Sequence, residues 1–449
     1  MCPHYTSASS TAQDARSGRV DLPQTRRYSR AMIRGIKGVK DILPDEVGRW
    51  QLIEAEARRL AEVYGFREIR VPVFESTELF ARSIGASTDI VEKEMYTFQD
   101  RDGSSLTLRP EATAGAVRAY IEHNLSASPI SQKLYYFGPM FRHERPQAGR
   151  LRQFHQFGVE AFGCAEPAAD IEVIALLWGF FAALGLPDLT LEINSLGEAG
   201  DRPAYKAVLL DFLKKREAQL CQNCQRRMAV NPLRVLDCKV PECRTATEGA
   251  PKLTDHLSPH AHTHFDAVLA GLTALAIPFT LNPRLVRGLD YYTLTTFEVT
   301  CSHLGAQNAV GAGGRYDGLV ETLGGPNTPA VGFAVGLERT VLALPSSARP
   351  AQPKFVYVAS FGPQGVPVGR RVLYELRALG VQADTDHRAS TLKAHMKQAD
   401  RLGASLTVIV GDDEAAKNLA LVRDMTSREQ VEFPLSSAAT NILALLKPA

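Results

Sequence analysis

LYYFGPMFRHERPQAGRLRQFHQFGVEAF, residues Leu134 to Phe162, is two alternating segments around a short charged loop. Aromatic and β-branched residues dominate Leu134 to Phe141 and recur from Phe154 to Phe162, the pattern of an antiparallel hairpin. The loop between them, His143 to Leu151, carries Arg145, Pro146 and Arg150, so it is exposed and anion-seeking. A period of two puts Phe154, Gln156, Gly158 and Glu160 on one face of the returning strand. That face offers a flat aromatic, an amide, a gap where a ligand can approach and a carboxylate, with Arg142 beside it at the end of the outgoing strand. A half-buried strand needs none of these polar groups, and burying them unpaired is costly. The hairpin therefore reads as the floor of a binding pocket.

Outside the hairpin the chain is an ordinary globular one. It has 449 residues, 45% hydrophobic and 22% charged, enough for two to four domains with a substantial core. A formal charge of +2 gives no global basic field, so any nucleic-acid binding must come from local patches. No apolar run approaches the ~18 residues of a membrane span. Seven cysteines without a signal peptide point to a reducing compartment, hence a cytoplasmic protein.

Residues 1–31 are rich in Ser, Thr and Arg, lack apolar periodicity and are expected to be a disordered extension. Asp14, Asp21 and the missing amphipathic stripe argue against a transit peptide. The main body spans 32–345. From Asp45 to Tyr64 apolar residues recur at helical spacing, and Phe66 to Phe74 alternates as a strand that Pro72 restricts to an edge or an interface. Packing on a sheet edge and a dimer contact explain this pair equally well. VEKEMYTFQDRDGSSLTLRPEATAGAVRAY then reads as strand, Asp102-Gly103 turn, strand and helix. Glu111 and Thr113 fall at the strand-to-helix transition, where a carboxylate can receive an ammonium or simply favour the helix dipole, and a threonine can cap.

Between about 200 and 262 charge and proline increase and four of the seven cysteines cluster, so this looks like an inserted, mostly helical module. Cys221-x2-Cys224 and Cys238-x4-Cys243 could supply four thiolates to one structural zinc, the alternative being four ordinary thiols. The core resumes with a helix over His264 to Ala276 and the strand FTLNPRLVRGLDYYTLTTFEVT, which Arg287, Asp290, Tyr291 and Tyr292 interrupt. Gly311, Gly313 and Gly314 permit close backbone approach to a ligand. Ala330 to Val335 is a buried strand leading into a helix with Arg339 in its first turn, where an arginine opposes the dipole and calls for an anion. After a linker, SSARPAQP, residues 354–449 alternate strand and helix, the pattern of a small α/β domain. There Lys393, Lys397 and Arg401 share one helix face, which is ordinarily a solvated one.

FRHERPQAGRLRQFHQFGVE, LTLRPEATAG, LVRGLDYY and AVGFAVGLERTVLAL together closely resemble the histidyl-tRNA synthetases, a family of class II aminoacyl-tRNA synthetases. The likeness runs from Ile33 to the C-terminus, with the cysteine-rich insertion and the N-terminal tail least typical. Ala112 departs from the family, where glycine is common, by one methyl. The resemblance implies an antiparallel sheet flanked by helices, an insertion, a C-terminal α/β anticodon-binding domain, and a homodimer formed through the helix and strand ending at Pro72. It implies histidine activation with ATP and Mg²⁺, then transfer to the 3′-terminal adenosine of tRNA(His). Arg142 would bind the α-phosphate, Glu144 and Phe154 would hold adenine, and Arg339 would clamp the γ-phosphate. Arg287 would stabilise charge on the α-phosphate. Glu111, Thr113 and Gln156 would hold the α-ammonium and carboxylate end of L-histidine; Glu160 and Tyr292 would bond the imidazole nitrogens, with Tyr291 lining the pocket. Arg145, Gln147 and Arg150 would meet the acceptor end of the tRNA, and Lys393, Lys397 and Arg401 become phosphate contacts. A non-catalytic relative, the regulatory subunit of ATP phosphoribosyltransferase, would lack the C-terminal domain and much of the arginine set that this chain carries. Another amino-acid-adenylating enzyme of the same fold would lack the Glu160 and Tyr292 pair.

Overall fold

The computed structural model describes residues 32–85, 88–128, 130–348, 354–388 and 391–446; the expected N-terminal extension lies outside them. It divides into two compact units, 1–348 and 349–449.

The strands of the first unit are β1 (Arg67–Glu68), β2 (Phe74–Ser76), β3 (Tyr96–Gln99), β4 (Ser105–Leu108), β5 (Gln132–Phe141), β6 (Gln153–Phe162), β7 (Leu189–Ser195), β8 (Thr280–Leu281), β9 (Thr293–Cys301), β10 (Ala309–Arg315) and β11 (Ala330–Gly336). Eight of them form one sheet in the order β1-β5-β6-β11-β10-β9-β7-β8, and β2-β4-β3 form a small second sheet. The hairpin β5–β6 pairs along its whole length, from Gln132 opposite Phe162 to Phe141 opposite Gln153. The large sheet is antiparallel through its centre, but each edge strand, β1 against β5 and β8 against β7, runs parallel to its neighbour, so the sheet is mixed.

Alternation decides which face of this sheet is core. On β6, Phe157, Val159 and Ala161 join one buried core with helices Pro44–Val63, Pro167–Ala183 and Pro259–Ala274; on β11, Val331, Phe333 and Val335 do the same. The opposite face of β11 carries Ala330, Gly332, Ala334 and Gly336, all small. Large residues therefore fill the helix side, and small ones leave space on the other side. Beneath the sheet, Arg315 is fully buried and donates to Asp170 (Nε to Oδ2, 3.0 Å) and to the carbonyls of Cys164 (2.9 Å) and Glu166 (3.2 Å). This pair fastens β10 to the start of helix Pro167–Ala183.

The expected strand Phe66 to Phe74 is instead two short strands in different sheets. Residues 69–73 lie between them, where Pro72 offers no N–H for a ladder and Arg109 takes the freed carbonyls of Val71 (2.8 Å) and Pro72 (3.2 Å). The long strand expected through Thr280–Thr300 likewise breaks into β8 and β9, with 282–292 forming a loop. Residues 201–246 carry four short helices, Asp201–Lys214, Gln222–Val230, Leu233–Leu236 and Pro241–Ala246.

The second unit is a five-stranded sheet of β12 (Val356–Ser360), β13 (Ala383–Asp384), β14 (Leu406–Val410), β15 (Leu419–Asp424) and β16 (Gln430–Pro434) in the order β13-β12-β14-β15-β16. The first three strands are parallel and the last two antiparallel. Helices Gly365–Ala378, Leu392–Arg401 and Ala438–Leu446 pack on it.

Candidate active site

The small-residue face of β6, β10 and β11 opens into a cavity of about 290 Å³. Its lining includes Phe154, Gln156 and Glu160 from β6, with Glu111 and Thr113 from the β4-to-helix turn. Arg142, Glu144 and Arg150 come from the hairpin loop, Arg287, Tyr291 and Tyr292 from the 282–292 loop, and Arg339 from helix Leu337–Ala343. The hairpin's period-two face and three motifs distant in sequence thus meet in one space. Charge divides it: Arg142, Arg150 and Arg339 gather at the hairpin-loop end, while tyrosines and carboxylates gather at the other.

At the polar end Glu160 is 1% exposed and its carboxylate accepts hydrogen bonds from three hydroxyls. Thr113 Oγ1 lies 2.7 Å and Tyr136 OH 3.1 Å from Oε1, and Tyr316 OH bonds Oε2. Burial pushes Glu160 up to about 8, against the hydrogen bonds from Tyr316 and Thr113 that favour its ionised form. Glu111 accepts the backbone amides of Thr113 (2.7 Å) and Ala114 (2.9 Å), so it caps helix Thr113–Glu122 and is held in one rotamer. Burial raises its carboxyl too, opposed by those amides. Between the two ends, Gln156 Oε1 is buried with no hydrogen-bond partner among the described residues, an acceptor awaiting a donor.

Arg287 donates to Glu298 Oε2 at 2.6 Å and lies over the Tyr292 ring at 5.9 Å. At the basic end Arg142 is anchored by Nε to the Pro110 carbonyl (2.8 Å) with its guanidinium 5.2 Å from the centre of the Phe154 ring. Glu144 pairs with Arg150 at 2.5 Å. Arg339 donates to the carbonyls of Gly149 (3.0 Å) and Ala309 (2.8 Å), and burial followed by the Arg150 charge lowers its pKa. These two carbonyl dipoles fix Nε and one terminal nitrogen of the guanidinium and offset the helix dipole.

Several residues sit differently from the sequence reading. The gap at Gly158 is filled from within the protein: a Cβ there would stand 2.4 Å from Tyr136 OH, so the glycine lets Tyr136 cross the strand to reach Glu160. Gly313 and Gly314 likewise face protein, with a Cβ meeting Gly332 O at 2.1 Å and Thr295 O at 2.7 Å. Gly311 does line the cavity. Arg150 faces the cavity while Arg145 and Gln147 lie exposed on the loop. Lys393, Lys397 and Arg401 are exposed together on helix Leu392–Arg401, whose other side buries His395 and Ala399.

Tyr136, Tyr316, Glu298 and Gly332 were not picked out from the sequence. A Cβ on Gly332 would lie 2.1 Å from Glu160 Oε2, so this glycine makes room for the carboxylate. The alternation of small and large residues in AVGFAVG was the signal available for it. The cysteine thiols of Cys221, Cys224, Cys238 and Cys243 all lie within 4.8 Å of one another, apart from this cavity.

A large mixed sheet flanked by helices, followed by an anticodon-binding domain, is the architecture of class II aminoacyl-tRNA synthetases. The family model of histidyl-tRNA synthetase matches residues 38–340, and that of the anticodon binding domain matches 356–445. A histidine–tRNA ligase of Desulfatibacillum aliphaticivorans is 50% identical over 416 residues, 92% of this chain and 99% of its own length. That of Trichlorobacter lovleyi is 51% identical over 406 residues, 90% and 97% of the two chains. The apo crystal structure of S. aureus histidyl-tRNA synthetase aligns with a TM-score of 0.77 at 38% identity, covering 91% of this chain and 99% of that one. The chain belongs to the histidyl-tRNA synthetase family.

Proposed function

We propose that this cavity activates L-histidine with ATP and then passes the histidyl group to the 3′-terminal adenosine of tRNA(His), the aminoacylation reaction of its family. One observation carries the assignment of roles: Phe154, Gln156 and Glu160 alternate along β6 into a single cavity, with arginines at one end and a buried carboxylate at the other.

Adenine stacks on Phe154 against Arg142, and Glu144 reads its edge. Arg142 also meets the α-phosphate. Arg339, held by Gly149 and Ala309, takes the far end of a bent triphosphate; guanidinium forks match phosphate oxygens better than ammonium groups do. The histidine ammonium fits between Glu111 and the unpaired Gln156 oxygen, with Thr113 beside it. The imidazole lies against Tyr291, with Glu160 and Tyr292 at its two nitrogens. Three hydroxyls position the Glu160 carboxylate so that it need not reorganise on binding.

In-line attack of the histidine carboxylate on the α-phosphorus forms the adenylate and expels pyrophosphate. The protein's part is positioning and charge stabilisation. Arg287, oriented by Glu298 at 2.6 Å, neutralises charge that develops on the α-phosphate. Magnesium takes oxygen ligands and binds through one or two carboxylates plus substrate phosphates. Glu298 supplies a carboxylate of that kind beside Arg287, and Mg²⁺ would neutralise phosphate charge there. In the second step a ribose hydroxyl of the terminal adenosine attacks the histidyl carbonyl of the adenylate, losing its proton, and AMP leaves.

Arg145 and Gln147, exposed on the hairpin loop, meet the acceptor end, with Arg150 reaching back to the cavity rim; Lys393, Lys397 and Arg401 contact tRNA phosphates. A homodimer is supported by exposed Val63 and Val73 and by exposed Phe74 and Phe98 on the small sheet, whose rings lie 6.4 Å apart. None of the described helices is long and apolar enough to cross a membrane, and the proposed compartment is the cytoplasm. Histidine-dependent ATP–pyrophosphate exchange tests the assignment. Absent exchange, or equal exchange with other amino acids, would overturn it.

A further inference from the structure

Four cysteine sulfurs converge in the inserted module: Sγ of Cys221, Cys224, Cys238 and Cys243 lie within 4.8 Å of one another, with Cys224 and Cys243 fully buried. A tetrahedral zinc with Zn–S bonds of about 2.3 Å spaces its sulfurs about 3.8 Å apart, roughly one ångström of closing from this arrangement. The Cys221 backbone N–H already donates to Cys243 Sγ at 3.0 Å, a bond that suits a metal-bound thiolate. Soft thiolate sets of four select zinc or iron, and leave no open coordination position.

What lies between the two cysteine pairs gives the cluster its purpose. Helices Gln222–Val230 and Leu233–Leu236 fill the chain from Cys224 to Cys238. From this stretch Asn231 Nδ2 donates to Asp290 Oδ1 at 3.2 Å, Arg234 to the Gly288 carbonyl at 3.2 Å and Arg227 to Asp89 at 2.5 Å. From the other side, Arg284 donates to Thr247 Oγ1 at 2.6 Å and to the Leu236 carbonyl at 3.4 Å. Arg287, Gly288, Leu289, Tyr291 and Tyr292 line the cavity, and Asp290 lies among them. The module therefore grips, through Gly288 and Asp290, the loop that lines the cavity.

We propose that Cys221, Cys224, Cys238 and Cys243 bind one zinc ion as a closed tetrathiolate site, and that this ion braces the 287–292 loop through Asn231 and Arg234. Asn231 and Arg234 are positioning residues, acting through the loop. The metal pins both ends of the short helical stretch. The metal site itself stands without the histidine assignment; only the effect on histidine binding rests on it.

The full-length protein, purified without chelator, should contain about one zinc per chain by plasma mass spectrometry. An organomercurial should release that zinc as its thiolates are titrated, and cobalt(II) in its place should show sulfur-to-metal charge-transfer and tetrahedral ligand-field bands. After release, with the mercurial removed by excess thiol, the apo-protein's histidine KM should rise about tenfold or more. A loop misplaced by about 1 Å costs on the order of 100-fold. The KM for ATP should change far less, and added zinc should restore the histidine value. Asn231→Ala should raise histidine KM while retaining full zinc. Iron in place of zinc, disulfides among these cysteines, or substoichiometric metal overturns the site. Full metal whose removal leaves histidine KM unchanged overturns the brace. Loss of pyrophosphate exchange with zinc fully bound counts against the histidine assignment and leaves the metal site standing.

Discussion

Glu160→Gln separates recognition of histidine from the rest of the reaction. The substitution is nearly isosteric, and the hydroxyls of Thr113, Tyr136 and Tyr316 that surround Glu160 can each rotate to accept from the new amide. No buried polar group is stranded, so the fold should survive. What disappears is a charged acceptor at the imidazole. A hydrogen bond to a charged group contributes about 1.5–3 kcal/mol, so above about pH 8, where the Glu160 carboxyl is ionised, histidine affinity should fall about 10- to 150-fold. ATP affinity should stay within about twofold, because Phe154, Arg142 and Arg339 approach the cavity from its other end. Calorimetric titration of each ligand, with pyrophosphate exchange, reads both numbers.

The same variant carries a pH signature. Burial raises the folded-state Glu160 carboxyl to about 8 from an ordinary 4.5. A raised carboxyl contributes stability that is present below its unfolded pKa and is lost as pH rises through its folded one. The wild type should therefore lose stability relative to Glu160→Gln between pH 4.5 and about 8 and level off above, as urea unfolding at several pH values would report. A histidine affinity within twofold of wild type, or an equal loss of ATP affinity, refutes the recognition role. A stability difference independent of pH refutes the burial argument.

Arg287→Ala should lower kcat for exchange about 100- to 1,000-fold, the loss typical of a missing transition-state donor, while histidine Kd changes little; a near-normal kcat rejects that role. Arg315→Ala leaves the Asp170 carboxylate, whose side chain is completely shielded from solvent, with only the His264 imidazole at 3.4 Å, and should cost about 3–5 kcal/mol by urea denaturation at neutral pH. A loss below 1 kcal/mol would show that water reaches the pair. Gly158→Ala drives a Cβ to 2.4 Å from Tyr136 OH and should weaken histidine binding through the displaced tyrosine, whereas unchanged affinity would show that Tyr136 is dispensable to Glu160. Replacing Lys393 and Lys397 together by Glu should reduce aminoacylation, by a margin that narrows as salt rises, and leave pyrophosphate exchange intact. A matching loss of exchange would place the defect in the fold.

The β5–β6 hairpin was legible because its evidence is local. Period-two alternation, aromatic and β-branched residues and a charged loop are all encoded within the stretch itself, and the alternation alone assigned Phe154, Gln156 and Glu160 to one face. Helix Pro44–Val63 and the strand–helix alternation of the second unit were legible for the same reason. The cysteine pairs were visible as spacing, but their convergence to within 4.8 Å depends on how three short helices turn. Pro72 showed that the 66–74 stretch could not be a central strand, yet not that Arg109 would take up its carbonyls.

What the chain order could not contain was who faces whom across the sheet. Tyr136 and Tyr316 look like core aromatics in sequence; β5 and β10 must be folded beside β6 before their hydroxyls meet Glu160. Gly158 reads as room for a ligand and is in fact room for Tyr136, and Gly332, unremarkable in sequence, makes room for the Glu160 carboxylate. Side-chain periodicity is a property of one strand and survives any fold that keeps the strand. A buried carboxylate's partners, its raised pKa and the glycines that admit it are set by register between distant strands, such as Gly332 opposite Glu160, 172 residues away. Sequence therefore determined the chemistry on offer at this site, and only tertiary contact decided which groups each carboxylate and arginine would meet.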